Sequence, residues 1–361
     1  MSQGNGVLYQ VLREGMKAMS NLVETLKRHQ LLAYFGLTYL MTWVIEFTVQ
    51  PMYMGGQRWV APLITLGIFA PALVSIGLSA LIKPQPRQGS RKPAILVFFS
   101  VWTLASLVII ANLILNQQMD LSPLLVSVGV ITALLPAFVA SSIFSTIPGV
   151  RSHLRTYIHP RGSWGYYPLA LFVLPAIWLL GNLLSRALGM VTPFFRSPVV
   201  DLKLLASATV MFLYNVAYSS LSEEPGWRGF ALPRLQAKFS PLVASLILGV
   251  LWSFWHVPFK FGGMDAASPA DILVEWILIL LVNIIFTWLF NRTQGSILVA
   301  ALIHPAMNVM GSFLNASLGA LVLLFGFIAF IIARDKMWRK LPVESLAVIQ
   351  GSVEDLPPAA A

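Results

Sequence analysis

Apolar residues run along this chain in continuous stretches of about 18 positions or more, with polar residues gathered in short connections between them. Continuous apolarity of that length marks membrane-spanning helices. The in–out alternation that a β-barrel strand requires is missing. Ten such segments can be drawn, at about 31–49, 59–82, 94–115, 123–145, 167–185, 204–222, 241–259, 272–290, 296–313 and 316–333. The last two are divided only by Asn315-Ala316-Ser317. The pattern predicts an all-α, polytopic transmembrane helical bundle of about 8–10 spans.

Residues 1–30 follow a different pattern. Leu8, Val11, Leu12, Met16, Met19, Val23 and Leu26 recur at helical spacing, beside Arg13, Lys17, Lys27 and Arg28. That predicts an amphipathic helix lying on the cytoplasmic surface. The first long run begins near Leu31, and no short apolar core with a small-residue cleavage site precedes it, so no cleavable signal peptide is expected. The organisation read from the chain is thus 1–30 amphipathic, 31–200 a first set of transmembrane helices, 201–333 a second set, and 334–361 a tail. That tail starts basic and is expected to end disordered, at Pro357-Pro358-Ala359-Ala360-Ala361.

Composition agrees with a membrane protein. Hydrophobic residues make up 57% and charged residues 11%, against about 25% charged in soluble domains. The net charge of +10 could suggest nucleic acid as a partner. Its distribution argues against that, because Lys and Arg cluster between the apolar runs. The segment before Leu31, the connection 83–93 and the stretch after Ala333 carry four each, and 146–166 carries three. The intervening connections 50–58 and 116–122 carry one and none. This alternation predicts an integral, multi-pass protein with both termini cytoplasmic and membrane lipids around it. The connection 186–203 blurs the pattern with Arg186, Arg196 and Lys203. There is no cysteine, which removes disulfides, thiolate metal sites and cysteine nucleophiles.

The chemistry concentrates after Leu204. Ser222-Glu223-Glu224-Pro225-Gly226-Trp227-Arg228 ends an apolar run, placing two carboxylates and a guanidinium at or below a membrane surface. Ionisable groups are costly there and mark functional sites. Pro225 lacks an N–H and Gly226 loosens the helix, so a break is expected at this point. Two later segments carry one histidine each, His256 and His304, and Asn308 follows His304 on the same helical face. These six residues form the candidate catalytic set. Arg228 can pair with one glutamate. The other can act as general base toward a water, Glu223 being favoured. His256 can position that water or protonate a leaving amine, while His304 and Asn308 can donate to an oxyanion. A competing reading holds the water on a metal: Glu223, His256 and His304 are a standard catalytic Zn2+ set, although the His-Glu-x-x-His spacing is absent. Glu46 and Glu275 have no partner evident in the sequence, and His153 and His159 are expected to be solvated in a basic loop.

At these residues the chain resembles the CAAX protease and bacteriocin-processing (CPBP, or ABI) family of intramembrane proteases, which includes CAAX prenyl protease type 2. The family pattern Glu-Glu-x-x-x-Arg matches at Glu223, Glu224 and Arg228, and His-x-x-x-Asn matches at His304 and Asn308. The pattern Phe-x-x-x-His is met at His256 with Trp252 in place of Phe. The resemblance covers about Leu204 to Asn315. It implies a membrane endopeptidase opening to the cytosolic side, in a bacterial plasma membrane. Its substrate would be a membrane-associated peptide or protein other than a prenylated CAAX chain. The alternative is a non-proteolytic membrane scaffold or immunity-type protein that retains the motif.

Overall fold

A chain crossing hydrocarbon must satisfy its backbone donors and acceptors within each segment, so apolar runs fold as helices. The computed structural model describes residues 23–350 except 83, 191, 192, 198 and 262–267, together with 13–15, 17, 20 and 21. Among them there is no β-strand, only an isolated bridge between Phe195 and Leu314. Most of the expected N-terminal amphipathic helix, and the tail after Gln350, lie outside the described residues.

All ten apolar segments are helical. Among the described residues, seven helices are long and apolar enough to cross a membrane: Gln30–Met54, Lys92–Leu115, Pro123–Ser142, Tyr166–Ala187, Leu202–Gln236, Pro241–Phe261 and Pro269–Arg292. Arg58–Ile68 and Ala70–Ile82 form a pair bent by 47° that is together long and apolar enough to cross as an eighth. The bend precedes Pro71, whose ring cannot continue the hydrogen-bond ladder. Ile297–Phe313 and Leu318–Arg334 are shorter apolar helices. They separate at Asn315-Ala316-Ser317, where the Ser317 hydroxyl accepts from Ala320 N–H at 3.2 Å and caps the last helix.

Alternate connections gather at opposite ends of the bundle. At one end Gln88 N–H donates to Thr146 O (2.8 Å), Arg161 to Val348 O (2.8 Å) and Gln350 to Pro233 O (3.3 Å). At the other, Asn315 N–H donates to Phe194 O (3.0 Å) and Asn116 to Ser207 O (3.3 Å). The connection 186–203, ambiguous by charge, therefore shares an end with Asn315.

The core sits where Tyr166–Ala187, Pro269–Arg292, Ile297–Phe313 and Leu318–Arg334 meet. Two of these approach so closely that a Cβ on Gly181 would overlap the Ala320 backbone, and one on Gly319 the Gly181 carbonyl. Small residues permit such backbone contact between membrane helices. Lys92–Leu115 is peripheral by contrast, turning Leu96, Leu104 and Leu107 outward to where lipid would lie.

The Leu202–Gln236 helix differs from expectation in one respect. It does not break at Pro225-Gly226. Its 35 residues run on through two widened π turns, Val216–Ser220 and Pro225–Ala231. A wider turn accommodates a residue without an N–H while the helix continues, and such turns recur at functional sites. Glu223 then stands thirteen residues before Gln236, about 20 Å along the axis.

Candidate active site

Glu223 and Glu224 occupy a short α-helical stretch, Leu221–Glu224, between the two π turns. Each carboxylate meets the side chain four residues on, one turn away. Glu223 Oε2 accepts from Trp227 Nε1 at 3.2 Å, and Glu224 Oε1 accepts from Arg228 at 3.0 Å. Gly226 lets this stretch seat against its neighbours. A Cβ there would overlap the Tyr34 hydroxyl and come within 2.6 Å of Pro71 O.

Arg228 is fully buried, and its two terminal nitrogens are held while Nε has no partner among the described residues. It donates to Glu224 and, at 2.7 Å, to Asn283 Oδ1, and Asn283 is itself fixed by donating to Ser245 O at 2.5 Å. The guanidinium carbon lies 4.4 Å from the centre of the Trp252 ring and 4.1 Å from that of Phe286. Stacking between two aromatic faces suits a planar cation.

His304, 3% exposed, reaches the glutamates from the Ile297–Phe313 helix. Its Nδ1 is 2.6 Å from Glu224 Oε1, and its Nε2 is 3.9 Å from Glu223 Oε1. Glu224 thus orients the imidazole and turns Nε2 toward Glu223. The other oxygen of Glu223 accepts a second indole hydrogen bond, from Trp252 Nε1 at 2.6 Å.

The six candidate residues are not brought together equally. Glu223, Glu224, Arg228 and His304 form one contiguous cluster. His256 joins it through Trp252: its Nδ1 pairs with Trp252 O at 2.8 Å, and its ring packs on the rings of Trp252 and Trp255. Asn308 belongs to an adjoining cluster, donating to Asn215 Oδ1 (2.6 Å) and approaching Ser219 Oγ (3.4 Å). Asn215 immediately precedes the first π turn and Ser219 lies within it. Among the described residues no three His, Asp or Glu side chains converge as metal ligands. With His256 turned onto Trp252 O, the arrangement does not fit the zinc set.

Sequence reasoning missed four contributors: Trp227, Trp252, Asn283 and Phe286. Trp252 was legible only as an aromatic at the Phe position, yet its N–H does what a Phe cannot. Asn283 had a weak signal, a lone amide in an apolar run. Three other expectations change. Glu46 has a partner, Gln50 (2.9 Å), and Glu275 pairs with Lys260 (2.7 Å). His153 is not solvated like the exposed His159. It is half-buried, pairs with Ser75 Oγ at 3.2 Å, and lies edge-on to Phe230. Burial, reinforced by Arg234, pushes its pKa down to about 3.

Residues 205–310 match the Rce1-like model of type II CAAX prenyl endopeptidases. A stretch of 151 residues is 29% identical to CAAX prenyl protease 2 of Methanococcus maripaludis, covering 39% of this chain and 54% of that protein. Residues 205–310 are thus similar to that endopeptidase family. The matched stretch spans about half the length of that relative, and all six candidate residues lie inside the family match.

Proposed function

We propose that the chain is an intramembrane endopeptidase. It hydrolyses a peptide bond of a membrane-associated protein or peptide near the cytosolic face, using a water activated by Glu223. One observation carries the reading. A carboxylate oxygen and an imidazole nitrogen, Glu223 Oε1 and His304 Nε2, face each other across 3.9 Å deep in a membrane protein. Their far sides are fixed by two indole N–H groups and by Glu224. A water bonded to both would be oriented for attack.

The chemistry follows from those roles. Glu223 takes a proton from the water as its oxygen adds to the scissile carbonyl carbon. His304, with a proton on each ring nitrogen, donates Nδ1–H to Glu224 and Nε2–H to the developing oxyanion. The tetrahedral adduct collapses by breaking the C–N bond, and the proton on Glu223 passes to the leaving amine. The products are a new carboxyl end and a new amino end, and the base is restored. Arg228 compensates the charge of Glu224 throughout. His256, with Nδ1 occupied by a carbonyl, has Nε2 left for substrate or leaving amine.

The test compares N-terminal peptides of membrane proteins in cells carrying the parent protein, Glu223→Gln, or no protein. Termini present with the parent and missing in the other two are expected. Parent-like termini in Glu223→Gln, His256→Ala and His304→Ala would replace the protease with a membrane scaffold. Purified protein stripped of metal is expected to keep cleaving. Activity lost with zinc and regained on its return would put the water on a metal instead.

A further inference from the structure

A second site lies at the end of the bundle where the basic connections gather. A cavity of about 530 Å³ opens there, lined by Lys27, Arg28, Arg161, Arg234 and Lys238. Among the described residues lining it there is no Asp or Glu. Its cations come from the segment before the first helix, the 146–165 connection and the end of the Leu202–Gln236 helix, so only the fold assembles them.

Arg234 is pre-positioned. It donates to Gln30 Oε1 (2.7 Å) and to Phe230 O (2.8 Å), and its guanidinium carbon stacks 3.5 Å from the centre of the Phe230 ring. Both partners are neutral, so its charge stays available to a ligand. His153 also lines the cavity, and adds a neutral polar group rather than a further charge. Leu31, Ile82 and Ile297 supply apolar wall beside the cations. Basic pockets between helix ends, with apolar surface alongside, suit the phosphate of an anionic lipid.

We infer that this cavity binds the phosphate headgroup of an anionic membrane lipid. The site is separate from the catalytic cluster and does not depend on proteolysis. Its wall includes Gly229, in the π turn that carries Arg228. A Cβ on Gly229 would come within 2.9 Å of His153 Cε1 and 2.8 Å of Ile297 Cδ1, so the wall is close-packed. A bound headgroup would therefore brace that turn against the N-terminal segment and the 146–165 connection.

The test uses full-length protein purified with native lipid and returned to phosphatidylcholine nanodiscs containing graded phosphatidylglycerol. Retained lipid is read by native mass spectrometry and stabilisation by thermal unfolding. The variant Lys27→Gln/Arg28→Gln/Lys238→Gln leaves the Arg234 bonds intact. It is expected to weaken phosphatidylglycerol binding about a hundredfold, since three basic residues near the anionic headgroup are lost together. Arg339→Gln/Lys340→Gln, exposed residues that do not line the cavity, is expected to bind as the parent does. Parent-like lipid retention in the triple variant would overturn the proposal, as would an equal loss in the Arg339/Lys340 control. Protection by inorganic phosphate that matches the lipid would move the site to a soluble anion. Displacement of the lipid by a peptide with a free C-terminal carboxylate would make it a peptide site.

Discussion

Two buried carboxylates in this bundle each have a partner four residues on, and they do different things. Glu46 receives one hydrogen bond, from Gln50 on its own helix, and its second oxygen, like Oε2 of Glu224, has no partner among the described residues. Glu224 meets Arg228 at the same spacing, then His304 from another helix. Its neighbour Glu223 draws two indole donors from two helices. An amide can solvate a carboxyl group but cannot compensate its charge; a guanidinium can do both. Spacing and burial are shared, so neither distinguishes the sites. What distinguishes them is the convergence of charge and donors from several helices on one point.

The comparison breaks most sharply at the general base. Glu223→Gln is expected to lower peptide cleavage by about 10²- to 10⁴-fold, while Glu46→Gln leaves cleavage near the parent's. Equal losses in the two would reduce the Glu223 cluster to another buried polar pair. Arg228→Gln comes next. Removing one member of a buried ion pair costs about 3–5 kcal/mol, so both thermal stability and activity should fall. Arg228→Lys should keep part of each, since the charge remains but the planar fork does not.

Trp252→Phe installs the residue of the family pattern and removes the N–H to Glu223. A hydrogen bond to a charged group contributes about 1.5–3 kcal/mol. The expected result is a ten- to hundredfold drop in kcat with little change in KM, and parent-like kcat would mean that Trp227 suffices to fix the carboxylate. The smallest effect is expected at Asn308. An oxyanion donor would cost about 10²- to 10³-fold on removal. Because Asn308 instead bonds Asn215 and Ser219, Asn308→Ala should cost about tenfold or less, consistent with one ordinary hydrogen bond. A loss as large as that of His304→Ala would return Asn308 to the reacting centre.

Much of this was legible in the chain. Ten apolar runs became ten helical segments, and the divider Asn315-Ala316-Ser317 fell where a cap was needed. The alternation of charge between connections matched their sorting to opposite ends. Glu223, Glu224, Arg228 and His304 could be named because ionisable groups in apolar segments stand out. The partners of those groups could not. Trp227, Asn283 and Phe286 look like ordinary members of a membrane helix until the packing assigns them neighbours. The break expected at Pro225 became a widened turn, because the continuing helix keeps backbone groups paired that a break at that depth would leave to find other partners.

The sequence alone determined the elements, since helix formation in hydrocarbon depends on local apolarity and on pairing within each segment. It also determined which residues carry charge and where the connections are basic. Tertiary structure decided which of those charges meet. It set Glu224 between Arg228 and His304, turned His304 Nε2 toward Glu223, moved Asn308 to a neighbouring cluster, and gathered five cations from distant segments into one cavity. Those distances depend on how helices far apart in sequence pack, and the period of a single helix carries no record of which face its neighbour presents.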